Sequence, residues 1–404
     1  MTINYRRLFL LAGITSLSLC YALLWARMIT TPAEYTGADF IAFYAAGRIA
    51  QGEGPAHAYD LGLIQHYEQN VVGFPIDPTS ISPFLHPPFL LPLLRLVALP
   101  NYVLAFILWN LIMLVFLGLG AALLMHDGLS ATSPTQTKIL LVGILLFFPT
   151  FLGLVTGQDN AILYLGAVAW MLGVLKKRDW LAGSGLALMT IRPHLALPLA
   201  ILFLFRRRQV WWWFLLGIAL LAIVSLAYAG WGGISGFLQV ILVSSVGQNY
   251  HTGENHMFNV IGILLRLFPS LALPLTNGIG WGVYLLAIMG MVVWWIRIPQ
   301  VEGKHLSLAV VLTLLTSPHT HVNDLILLII PLVTLLAVMR DEKYGQERNL
   351  VFVPLAVSFS LLIGFFSDVV KYSLTYLVMV GLLLPLWFPG RFFRPSISPQ
   401  NGTP

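Results

Sequence analysis

Apolar stretches of about 16 to 25 residues follow one another along almost the whole chain, each long enough to cross a ~30 Å hydrocarbon core as a helix. Short clusters of polar, glycine and proline residues separate them. Backbone groups in lipid must find partners within their own segment, so continuous apolar runs read as helices. They lack the alternation of a membrane barrel strand. The pattern predicts an all-α polytopic membrane protein, with about 11 to 13 transmembrane helices in one integral membrane unit over residues 1–404. The first run, residues 8–28, is longer than a signal-peptide core and lacks a small-residue cleavage site, so it reads as a retained anchor. A loop over 30–83 follows, then the remaining spans over 84–388 and a tail over 389–404.

Two places in the pattern are irregular. Residues 84–99 are apolar but short and rich in proline, so either they fail to cross or the run 138–156 is broken at Pro149. Residues 181–205 read as a hairpin of two short helices, with the break at Pro193. Within the first loop, the apolar spacing after Asp39 predicts a helix, and a second short helix is expected at about 61–72.

Composition agrees with this class. Only 9% of residues are charged and mean hydropathy is +0.84, against about 25% charged in soluble domains. The net charge of +6 does not point to nucleic acid, because no basic stripe interleaved with aromatics is present. The excess charge reads as topology. Arg6 and Arg7, Lys176–Arg178, Arg206–Arg208, Arg297 with Lys304, Arg340 with Lys343 and Arg348, and Arg391 with Arg394 are assigned to the cytoplasm. The loop 30–83, the turn at 156–160, the corner at 191–194, the loop 230–276 and the turn at 317–321 then face the other side. Cys20 is the sole cysteine, so no intrachain disulfide forms.

Candidate chemistry gathers on that second side, at helix ends. Asp39 can cap the helix it opens or act as a general base at the lipid surface. Gly157-Gln158-Asp159-Asn160 places three polar side chains in one tight turn, as caps or ligand contacts. Arg192-Pro193-His194 sets an arginine and a histidine at a proline break, a costly position that fits either phosphate binding or an internal ion pair. His319, His321 and Asp324 could offer metal ligands, but their spacing matches no established zinc motif. Asn255, His256 and Asn259 lead into a short apolar helix. No nucleotide-binding loop and no serine-hydrolase elbow is present, so an activated substrate would arrive through the lipid.

Taken together, these segments resemble the bacterial polyprenyl-phosphate-mannose-dependent α-mannosyltransferases, glycosyltransferase family 87 of the GT-C membrane enzymes. The motifs are Ala38-Asp39-Phe40 with Tyr44, Ala46 and Arg48; His86-Pro87-Pro88-Phe89; Gly157-Gln158 with Asn160; Arg192-Pro193-His194; Asn259; and Ser317-Pro318. They cover roughly residues 1–340. His86 stands where the family usually has tyrosine, Arg192 where it has lysine, and His319-Thr320-His321 follows the late Ser-Pro. The resemblance implies a GT-C fold with an extracytoplasmic active site, in a multi-pass protein of the prokaryotic inner membrane. It implies an inverting transfer of a sugar, expected to be mannose, from a polyprenyl-phosphate donor to a lipid-linked or extracytoplasmic acceptor. Asp39 matches the catalytic carboxylate. Arg192 and His194, assisted by Arg48 or Arg266, would hold the donor phosphate. Tyr44, His86, Gln158, Asn160, Asn259, His319 and His321 would contact substrate. No cofactor is expected, with a divalent metal left open, and no oligomeric state follows. The alternative is a lipid or small-molecule transporter with an outward-facing polar cavity.

Overall fold

The computed structural model describes residues 5–128, 142–245 and 256–338, with the isolated positions 375 and 379. Arg340, Lys343, Arg348, Arg391, Arg394, Asn255 and the tail 389–404 lie outside the described residues. Among the described residues the secondary structure is helical, with no strand.

The first span is α1 (Tyr5–Thr30), and the loop after it holds α2 (Phe40–Gly52) and α3 (Leu61–Val72). α2 forms where the apolar spacing after Asp39 put it, and α3 spans the expected residues. Both α3 termini follow from local chemistry. The Asp60 carboxylate accepts from the Gly62 and Leu63 amides, and Gly73 ends the helix in the left-handed region. Next come α4 (Leu91–Val97) and α5 (Tyr102–Leu123), then α6 (Phe148–Val155) and α7 (Asn160–Leu175). Both irregularities of the 84–156 region are realised. α4 is seven residues long, too short to cross. The run before residue 156 is interrupted at 147, just before Pro149 enters the first turn of α6.

The hairpin expected at 181–205 is α8 (Asp179–Leu188) and α9 (Pro193–Phe205), joined through a 3-10 turn at Met189–Ile191. α10 (Arg208–Ser245) runs past the position where a loop was expected. It breaks at Gly230 (φ 63°, ψ −174°), and residues 231–245 continue as helix. A glycine reaches this backbone conformation without a Cβ penalty, so the segment redirects there instead of unwinding. α11 (Val260–Leu267), α12 (Leu273–Arg297), α13 (Gly303–Thr316), a 3-10 helix at Val322–Leu328 and α14 (Ile329–Val338) complete the order.

Among the described residues, four helices are long and apolar enough to cross a membrane, in α1, α5, α10 and α12. All four present leucines outward, such as Leu23, Leu111, Leu220 and Leu286. α7 is buried along nearly its whole length. It packs closely on α8 because glycines face each other. A Cβ on Gly185 would come 2.5 Å from the Gly166 carbonyl oxygen, and one on Gly173 would come 2.3 Å from the Ala182 nitrogen.

The helices alternate between two ends. The basic clusters at 176–178 and 206–208 meet at one of them. There the Arg207 guanidinium donates to Asp179 and to the Val174 carbonyl at 2.7 Å, and Arg206 reaches the Ile298 and Pro299 carbonyls. These arginines thus add side-chain donors to carbonyls at the end of α7 and just past α12.

Candidate functional site

The polar turns converge at the opposite end, beginning with the two that carry Asp39 and Gln158. The Phe40 amide donates to the Thr156 carbonyl at 3.0 Å, docking the start of α2 on the turn between α6 and α7. Trp109 Nε1 donates to the Gly157 carbonyl at 2.8 Å and fixes that turn from the α5 side. Gly157 has φ 68°, and a Cβ there would come 2.5 Å from the Phe40 Cβ. Only glycine allows this approach without displacing one of the two segments.

Asp39 makes no side-chain capping bond to α2, so its carboxylate is not used as a helix cap. The residue is exposed, yet protein packs around its carboxyl. That surrounding protein raises the Asp39 carboxyl above the usual carboxylate range. The Gln158 amide and the charges of Arg192 and His86 pull the other way, while Asp159 adds to the rise.

Arg192 is the hub of the cluster. Its Nε donates to Asp324 Oδ1 at 3.3 Å, its Nη1 meets His86 Nε2 at 2.5 Å, and its Nη2 donates to Gln158 Oε1 at 2.7 Å. Nη2 also lies 2.9 Å from Asp159 Oδ1. Nε and Nη2 therefore face protein acceptors, and Nη1 faces the His86 ring. Asp159 is fully buried, and its Oδ2 is 3.0 Å from His86 Nε2. Both contacts are at ion-pair distance but off hydrogen-bond geometry, since neither Asp159 oxygen has an aligned donor. Burial alone would raise the Asp159 carboxyl. Arg192 and His86 outweigh it and hold the group below the usual range.

Asp324 ties the last turn to this hub, because its Oδ2 accepts the His321 amide at 2.9 Å. The rings of His194, His319 and His321 stack edge to face, with centroids 5.7 Å and then 4.6 Å apart. Burial holds the His319 and His321 imidazoles at about 4 and about 3, so both are neutral at pH 7. One His194 ring nitrogen faces the His319 carbonyl, and its buried Nε2 has no hydrogen-bond partner. Among the described residues, no group of three or more His, Cys, Asp or Glu is placed to hold a metal ion.

The structure thus brings Asp39, His86, Gln158, Arg192, His194, His319 and His321 to one end. The other expected site residues make contacts with the protein. Tyr44 is buried, and its hydroxyl donates to the Pro100 carbonyl at 3.2 Å. Arg48 turns to Gln51 Oε1 at 2.9 Å, and nine helical residues, about 13 Å of rise, separate it from Asp39. Asn160 is buried and donates to the Pro149 carbonyl at 3.0 Å, joining α7 to α6. Asn259 caps α11 through the Gly262 amide and donates to the Ser317 carbonyl at 2.8 Å. Arg266 donates to the Met257 carbonyl at 2.9 Å. Asp159, read from the sequence as a cap or ligand contact, and Asp324, read as a candidate metal ligand, hold Arg192. The available signal was that a buried arginine needs carboxylate partners.

A family model described as glycosyltransferase family 87 matches residues 84–318, more than half of the chain. The chain belongs to glycosyltransferase family 87. It is accordingly a membrane glycosyltransferase. The match takes in His86, Gln158, Asp159, Arg192, Asn259 and Arg266, whereas Asp39 lies before it and His319 just after it. No curated protein matches the chain.

Proposed function

We propose that this glycosyltransferase moves a hexose, mannose by resemblance, from a polyprenyl-phosphate donor to a hydroxyl of a lipid-linked or extracytoplasmic acceptor. The reaction inverts the anomeric centre and takes place on the extracytoplasmic side of a prokaryotic cell membrane. The observation that carries this reading is the Asp39 carboxylate. It is accessible, free of capping bonds, and set beside a buried cation at the one end where the polar turns meet.

In this reading the acceptor hydroxyl loses its proton to Asp39 while its oxygen bonds to the anomeric carbon. The bond from that carbon to the phosphate oxygen breaks, and the lipid phosphate leaves with the bonding pair. A carboxyl raised toward the working pH is a better proton acceptor than one of ordinary acidity. Arg192, with its nitrogens turned to the protein, contributes mainly by its charge near the departing phosphate. The neutral His194, His319 and His321 serve as hydrogen-bond partners to hydroxyls and phosphate oxygens.

The test is to supply the purified protein, in detergent or liposomes, with a panel of radiolabelled polyprenyl-phosphate hexoses and a membrane-lipid extract as acceptor. Label entering a new, more polar lipid supports the proposal, with the mannose donor expected to be used best. Transbilayer movement of the donor with no new product, for every sugar in the panel, would support the transporter alternative instead.

A further inference from the structure

Two arginines near the polar end of the molecule take no part in the hub. Arg48 lies in α2 and Arg95 in the last turn of α4. Gln51 joins the two helices there. Its Oε1 accepts from Arg48 Nη1 at 2.9 Å, and its Nε2 donates to the Arg95 carbonyl at 2.6 Å and to the Ala98 carbonyl at 3.0 Å. Gly47 permits the approach, since a Cβ there would come 2.6 Å from the Leu94 carbonyl oxygen. The Tyr44 hydroxyl donates to the Pro100 carbonyl, so α2 lies along the whole turn between α4 and α5. α5 starts at the polar end, because Trp109, about two turns inside it, reaches Gly157.

Neither arginine has a carboxylate partner among the described residues, and Glu53, one residue past α2, pairs with neither. Arg95 is exposed and Arg48 half-buried. Leu96, next to Arg95, is 76% exposed, and Leu104, in the first turn of α5, is 56% exposed. Leucines this open at the start of a membrane-crossing helix face lipid. Unpaired cations beside them, at the end expected outside, run against the positive-inside bias. A guanidinium forks onto phosphate oxygens, which is the anion that a lipid surface offers. We propose that Arg48 and Arg95 form a binding site for the headgroup phosphate of an anionic phospholipid of the surrounding bilayer, with Gln51 holding the two helices in register for it. The site is separate from Arg192 and does not rest on the reading of Asp39 as the base, which lies about 13 Å of helix rise from Arg48.

The experiment places a bimane fluorophore on Leu96→Cys in a Cys20→Ser background and reconstitutes the full chain in phosphatidylcholine vesicles. A trace of nitroxide-labelled phosphatidylglycerol or phosphatidylcholine is the quencher. Phosphatidylglycerol should be enriched beside the label by about tenfold over phosphatidylcholine, the order expected for two arginines at a lipid surface. Adding Arg48→Gln and Arg95→Gln together should bring the two lipids within about twofold of each other. Arg27→Gln is the control for charge in general, because Arg27 is already paired with Glu34 at 2.7 Å, and it should leave the preference intact. Equal quenching by the two lipids in the parent protein, or a preference that survives the double variant, would overturn the proposal. So would a preference lost equally in Arg27→Gln, or one abolished by inorganic phosphate at matched ionic strength, which would assign the pair to a free anion. If the double variant does not fold by size exclusion, Arg95→Gln alone replaces it. It should lower the preference to about threefold, and an unchanged preference would again overturn the site.

Discussion

At the scale of single residues, the site is organised around one buried arginine. Arg192 carries the only guanidinium in contact with Gln158, Asp159 and Asp324 among the described residues, and those two carboxylates are nearly inaccessible. Breaking a buried ion pair by deleting one partner costs about 3–5 kcal/mol, because the other charge is left uncompensated. Arg192→Ala is therefore expected to lose about that much stability, measured by unfolding in detergent. Adding Asp159→Asn should return part of the loss. A double variant no more stable than the single one would contradict the ion-pair account. The sequence singled out Arg192 and Asp39 because an arginine at a proline break and an aspartate at an interface both need explaining. It did not pair Arg192 with Asp324, because 132 residues separate them and the 3-10 helix that carries Asp324 is brought to Arg192 by packing on α6 and α7.

At the scale of elements, the first loop is a folded layer with its own electrostatics. α3 turns Glu68 inward, where its carboxylate accepts the Ser82 amide at 3.1 Å and 3.3 Å and is 1% exposed. Burial, opposed by that hydrogen bond, raises this carboxyl from 4.5 to about 8. A raised folded value means that the folded state holds the proton after the unfolded state has released it. The stabilisation is full below 4.5 and is lost as pH rises to about 8. Thermal midpoints of wild type should thus fall across that window, and Glu68→Gln should flatten the fall. Parallel curves for the two proteins would show that Glu68 does not titrate with unfolding. The helices of this layer were legible from apolar spacing, from Asp60 and from Gly73. The helix beyond Gly230 was not, because a glycine-rich, aromatic stretch looks like loop when its packing partners are unknown. Those partners are Pro55, Ala56 and Tyr59, all approached closely by Gly232, Gly233 and Gly236.

At the scale of the whole molecule, the charge pattern and the fold agree in separating two ends. Basic turns expected in the cytoplasm cap helices at one end, through Arg206 and Arg207, and the polar turns expected outside meet at the other. With Cys20→Ser as background, a cysteine replacing His57 should react with a membrane-impermeant thiol reagent on intact cells. One replacing Lys177 should react only after permeabilisation; both positions are exposed. The reverse labelling pattern would put the polar end in the cytoplasm and remove the extracytoplasmic reading. The fold class was legible because hydropathy alone forces helices in lipid. How five turns assemble into one site was not, since it depends on contacts such as Phe40 to Thr156 and Asn259 to Ser317 that no local pattern encodes. The central claim is that the Asp39 carboxylate, beside this hub, takes the proton in sugar transfer. Its most direct test is the single-turnover rate of label transfer from the polyprenyl-phosphate donor by folded Asp39→Asn and wild type. The account predicts a loss of about 10²–10⁴-fold with donor binding retained. A rate within about twofold of wild type would contradict it.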